Sequence, residues 1–188
     1  MEATNFFAMK IRDSFFAFAA AFIFCGFRAP AHSAPRVGID GGVFFPTSSK
    51  TKDIFGSNFK SIGPGFGSAQ VLRRRITPDF DLMRQERGGN RATIIFAGAK
   101  ILIPLGRAPL SAETAGFAPY SGAGVNLSYA DIRAPDAGVD DKGFGAGVSA
   151  IVGASLGQTF FGEARYRIAS SAADFNFSGA QLVIGARF

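Results

Sequence analysis

Beyond residue 35, apolar and polar residues alternate along most of the chain, and turn residues separate the alternating runs. Period two marks strands, and helical spacing is scarce. In 160–168, Phe160, Gly162, Ala164, Tyr166 and Ile168 fall on one side, against Phe161, Glu163, Arg165 and Arg167. In 177–188, Ser178, Ala180, Leu182, Ile184, Ala186 and Phe188 oppose Phe177, Gly179, Gln181, Val183, Gly185 and Arg187. Runs at 36–45, 61–73, 79–86, 91–103, 120–132 and 142–156 bring the predicted strands to eight. Most approach or exceed the ~9–11 residues a tilted strand needs to cross a bilayer.

The charged faces decide where such strands belong. A soluble core would have to desolvate Glu163, Arg165 and Arg167, at several kcal/mol each if unpaired. A barrel with lipid outside and a polar lumen avoids that penalty. The pattern therefore predicts an all-β fold, an eight-stranded antiparallel up-and-down transmembrane β-barrel. Asp40, Lys100, Glu163, Arg165, Arg167 and Arg187 then face the lumen. They either form a paired network that fills it or line a solute path with slight anion preference. Inward glycines relieve the crowding of so narrow an interior.

The linkers follow. Residues 46–60, 87–90, 133–141 and 170–176 are expected outside the cell. Residues 74–78, 106–119 and 157–159 are expected on the periplasmic side, where 106–119 is long for a usually short turn. Thr47 or Ser48 is predicted to cap a short helix that Gly56 ends in the left-handed conformation.

The first residues predict export. Lys10 and Arg12 precede a 14-residue uncharged, mostly apolar run, Ser14–Phe27, and Ala29-Pro30-Ala31 follows. That order predicts a cleaved signal peptide over 1–34, cut after Ala31 or Ala34, and a barrel domain over 35–188. The run falls short of the roughly 20 residues of a spanning helix, which argues against a membrane anchor. Bulky Phe22-Ile23-Phe24 before Cys25 argue against a lipoprotein. Met9 is an alternative start.

Composition then narrows the chemistry. The 188 residues include 24 Gly, 22 Phe, one Cys, one His and no Trp, with net charge +6 and mean hydropathy +0.19. Such a chain is too apolar to be disordered, and a single Cys builds no disulfide scaffold. Removal of 1–34 takes Lys10, Arg12, Arg28, Glu2 and Asp13, so the charge falls to +5. Cys25 and His32 leave as well. Thiol and imidazole nucleophiles and His-type zinc sites are then excluded. No catalytic residue, cofactor or metal ligand is predicted. Asp136, Asp140 and Asp141 match no calcium loop. Arg73-Arg74-Arg75, in a periplasmic turn, is expected to meet solvent or an anionic surface rather than nucleic acid. Without Trp, an aromatic belt is expected from Tyr120, Tyr129, Tyr166 and Phe.

Four segments carry a resemblance: Arg36–Pro46, Pro119–Asn126, Phe161–Arg167 and Leu182–Phe188. They resemble the small bacterial outer-membrane β-barrels of the opacity-protein and OmpA transmembrane-domain type, over about 36 to 188. Asn126 stands where that family commonly has a third Gly after Pro-Tyr. The resemblance implies an outer-membrane location and contact with outer-membrane lipids and lipopolysaccharide. It implies delivery by periplasmic chaperones to the barrel-assembly machinery, which would read Ile184, Ala186 and the terminal Phe188. It also implies a non-catalytic structural or surface-interaction role. The alternatives are a porin-like pore for small solutes and an exported, soluble, lipocalin-like ligand-binding barrel. The last requires Arg165 and Arg167 to point outward.

Overall fold

The computed structural model describes residues 37–66, 69–71, 74–105, 116–157 and 159–188, so the predicted signal peptide lies outside the described residues. The elements are β1 (Val37–Pro46), α1 (Ser49–Phe55), β2 (Phe59–Phe66), β3 (Ala69–Val71), β4 (Arg74–Arg87), β5 (Asn90–Pro104) and β6 (Phe117–Ala134). They continue with β7 (Val139–Leu156), β8 (Phe160–Ala169), β9 (Ser171–Ala172), β10 (Phe175–Asn176) and β11 (Gly179–Arg187).

The main sheet runs β2-β1-β11-β8-β7-β6-β5-β4-β3, and β2 also pairs with β4, which closes it. β2 pairs with β4 at Lys60↔Arg84 to Ile62↔Leu82, and β3 pairs further along it at Ala69↔Ile76 to Val71↔Arg74. β2 and β3 are thus successive parts of one stave, and the closed antiparallel barrel has eight. Closure leaves the sheet without a full-length free edge strand.

Two expectations are corrected here. Residues 74–78 are not a linker but the start of β4, and Thr77 is buried. Thr77 turns inward, and its Oγ1 has no hydrogen-bond partner among the described residues. Gly56 does end the helix, and its N–H donates to Lys52 O at 2.8 Å. Its φ of 100° and ψ of 175° are not left-handed helical, however. The chain leaves α1 extended, directly toward β2, instead of winding once more. Ser48 is the N-cap, its Oγ accepting from the Thr51 N–H at 3.4 Å.

The staves differ in height. β6 and β7 are 18 residues each and stay paired from Phe117↔Leu156 to Ala134↔Val139. β8 matches only Gly147–Leu156 of β7, so 139–146 rise beyond it. The β9–β10 hairpin braces that wall from within. Ser170 N–H donates to Ala146 O at 2.8 Å, and Ala146 N–H to Ser170 Oγ at 2.9 Å. The hairpin comes so close that a Cβ on Gly143 would sit 3.0 Å from Ala173 Cα. The β4–β5 turn is Gly88-Gly89, both at positive φ, the geometry a two-residue hairpin favours.

Candidate functional site

Strand alternation sorts the side chains cleanly. In β8, Phe161, Glu163, Arg165, Arg167 and Ala169 are buried, while Phe160, Ala164, Tyr166 and Ile168 are exposed. Val125, Leu127, Val148, Val152, Leu182 and Ile184 likewise face outward, Ile184 at 76% exposure. So much exposed apolar surface is foreign to a water-soluble monomer. Arg165 and Arg167 point inward, the reverse of what a soluble lipocalin-like barrel requires, and that alternative is dropped.

The interior is filled in three layers. At the end away from Val37 and Phe188 lies an apolar layer: Phe44, Phe59, Phe96, Phe175, Phe177, Met83, Ile94 and Ile132, with Phe55 from α1. Phe55 meets Phe175 edge-on at 5.2 Å, and Phe44 meets Phe59 at 6.0 Å. Thr51 Oγ1 donates to Asn176 O at 3.0 Å and Lys50 Nζ to Asp174 O at 3.1 Å, tying α1 to the β9–β10 hairpin as a lid over this layer.

The middle layer is ionic. Glu163 accepts from Lys100 Nζ at 2.8 and 3.0 Å, from Tyr120 OH at 2.9 Å and from Arg165 Nε at 2.7 Å. Arg165 Nη1 reaches Asp81 Oδ2 at 2.9 Å and Asp79 Oδ1 at 3.2 Å. Arg167 Nη2 bonds Asp81 Oδ2 and lies 3.5 Å from Asp79 Oδ2. Gln181 Nε2 donates to Ser61 Oγ at 3.0 Å and Asp81 Oδ1 at 3.3 Å. Three carboxylates thus meet three cations, and each member touches at least two others. Completeness matters here, because an uncompensated buried charge costs several kcal/mol. The Arg167 guanidinium also lies 4.4 Å from the Phe96 ring centre, joining this layer to the apolar one.

Room for these long side chains comes from the opposite wall. β6 and β7 turn Gly124, Asn126, Ser128, Gly145, Gly147 and Ser149 toward the interior. A Cβ on Gly124 would lie 2.7 Å from Ser149 Oγ, so a larger residue there has to displace that hydroxyl. Below the ions, Leu102, Tyr120 and Ile151 form a third, mainly apolar layer.

Of the sequence-predicted lumen residues, Lys100, Glu163, Arg165 and Arg167 come together in the network. Asp40 is buried nearby, but its Oδ1 has no hydrogen-bond partner among the described residues. Arg187 stands apart, half-buried, its guanidinium 4.2 Å over the Phe161 ring, in no ion pair among the described residues. Sequence reasoning missed Asp79 and Asp81. Their two-residue spacing matches that of Arg165 and Arg167 and was the available signal. Tyr120 is a correction: it is buried, not part of an aromatic belt, because it shares the phase of Gly122, Gly124 and Asn126. Tyr129 does lie on the outer face, packed on Phe144 at 5.1 Å, and Tyr166 is exposed. Among the described residues, no group of three or more His, Cys, Asp or Glu is placed to hold a metal ion.

Eight closed antiparallel staves, apolar outside and with an ionic belt buried within, define the fold of the small bacterial outer-membrane β-barrels. With that inverted surface, the chain belongs in the outer membrane. Among solved structures it is similar to the crystal structure of Neisserial surface protein A (NspA), at 19% identity and a TM-score of 0.54, over 82% of this chain and 96% of that one. It also matches a major outer membrane protein from Thermus thermophilus, at 15% identity and a TM-score of 0.34, over 83% of this chain and 100% of that one. No family model and no curated protein matches the chain.

Proposed function

We propose that the protein is a closed, non-catalytic barrel that stabilises the envelope or serves surface contact, rather than a pore. The observation that carries this reading is the layered interior, in which an ionic belt lies between two apolar layers. The exterior end is the lidded one, and the start of β1 and the end of β11 face the periplasm. The signal peptide over 1–34 directs export, and periplasmic chaperones carry the chain to the assembly machinery. Ile184, Ala186 and Phe188 share the outer face of the last stave, which suits recognition by that machinery. The Phe188 N–H donates to Val37 O at 2.9 Å, where the last stave meets the first.

Single-channel recording of the refolded chain in planar bilayers tests the closed reading. No discrete conductance steps are expected. Regular steps would establish the porin-like alternative, and failure to show heat-modifiable gel mobility would remove the barrel reading itself.

A further inference from the structure

On one side of the barrel the outer face changes character abruptly. Ile62, Leu82, Ile95, Tyr129 and Phe144 form a row of cross-strand neighbours running β2-β4-β5-β6-β7. One step of two residues toward the lidded end, about 7 Å along the strands, the same staves carry Lys60, Arg84, Thr93, Asp131 and Lys142. A further step brings Glu86, Arg91, Arg133 and Asp140. All five cations are exposed. The acids absorb part of the charge: Glu86 pairs with Arg84 at 3.3 Å and Asp131 with Lys142 at 3.2 Å. Lys60, Arg91 and Arg133 form no ion pair among the described residues, although Asp140 is the cross-strand neighbour of Arg133.

Two like-charged pairs sit directly opposite each other, Lys60↔Arg84 and Arg91↔Arg133. Such pairs destabilise a sheet when nothing lies between them. An anion between them reverses the sign, and guanidinium forks suit phosphate oxygens. Resting on the reading that this face meets the outer leaflet, we propose that the β2–β7 face binds the phosphate groups of an outer-leaflet glycolipid. The phosphates sit on Lys60, Arg84, Arg91 and Arg133, and the acyl chains lie on the Ile62–Phe144 row. The apolar row immediately beneath favours a lipid headgroup over free phosphate, because only a lipid gains both contacts.

The test is a sign reversal. The full chain is refolded into phosphatidylcholine vesicles and into the same vesicles containing bisphosphorylated lipid A, and its unfolding midpoint is read from gel mobility. Without lipid A, Arg133→Gln relieves repulsion and raises the midpoint. With lipid A, Arg133→Gln lowers it, and the double variant Arg91→Gln with Arg133→Gln weakens lipid A binding about tenfold or more. Lys52→Gln, on the lid helix, changes neither. Dephosphorylated lipid A and inorganic phosphate both fail to stabilise the wild type. Equal stabilisation by the dephosphorylated lipid, or by lipid A on the double variant, overturns the proposal. Stabilisation by inorganic phosphate alone shows that an ion site, not a lipid site, is present and overturns it too. A chain that shows no heat-modifiable fold in either vesicle refutes the barrel reading instead.

Discussion

The phenylalanine layer and the ionic layer occupy the same barrel, a few residues apart along the same staves, yet they hold it together differently. Phe59 and Phe44 gain from burial itself, and each contact is tolerant of small shifts. Lys100, Arg165, Arg167, Asp79, Asp81 and Glu163 lose hydration on burial and recover it through one another, with help from Tyr120 and Gln181. One layer degrades gradually when damaged; the other depends on being complete. The small residues of β6 and β7 belong to the second layer, since they make the space its guanidiniums occupy.

Removing one partner from the ionic layer should have the largest effect. Arg167→Met is expected to destabilise the barrel by about 3–5 kcal/mol, measured by urea unfolding in vesicles. Adding Asp81→Asn to that chain should recover part of the loss. Additive losses would show that the layer is not interdependent and would break the comparison. Ile184→Arg places a cation on the lipid side instead and should cost about 2–4 kcal/mol; an effect near zero would mean the apolar face does not meet lipid. In the phenylalanine layer, Phe175→Ala should cost about 3 kcal/mol. Protease access to α1 should increase while the barrel keeps its gel mobility. Loss of the barrel itself would mean the lid layer is as interdependent as the ionic one. Smallest is Ala173→Gly. Ala173 has φ of 49° in the β9–β10 turn, so glycine should stabilise by about 1 kcal/mol, seen as slower proteolysis of the hairpin.

Much of this architecture is legible in the alternation. Phe160 to Ile168 needs only period two to send Arg165 and Arg167 to one side and Tyr166 to the other. The same arithmetic places Lys100 with Phe96 and Ile94, and Gln181 with Val183. The 74–87 stretch is harder. Residues 74–78 read as a linker because Thr77 and Pro78 look like turn residues until the pairing of the strand with β5 is known. Partner identity is a matter of register across the barrel, joining residues such as Asp81 and Arg167 that are far apart in the chain. Layering is hidden for the same reason: that Phe44, Phe96 and Phe177 share a height follows from stagger between staves, which no single strand encodes. Tyr120 is misplaced when residue type is weighed above phase.

The uneven staves have a consequence for anything that touches this protein from outside. Where β6 and β7 outgrow β8, the surface offered is backbone held in a regular ladder, joined at its tip by the short Pro135–Ala137 turn. A binder of that wall reads a rigid shape assembled from two strands, not a pliable segment of sequence. Antibodies raised against the folded chain should therefore lose this epitope on boiling, and peptides copied from 127–146 should compete poorly for them.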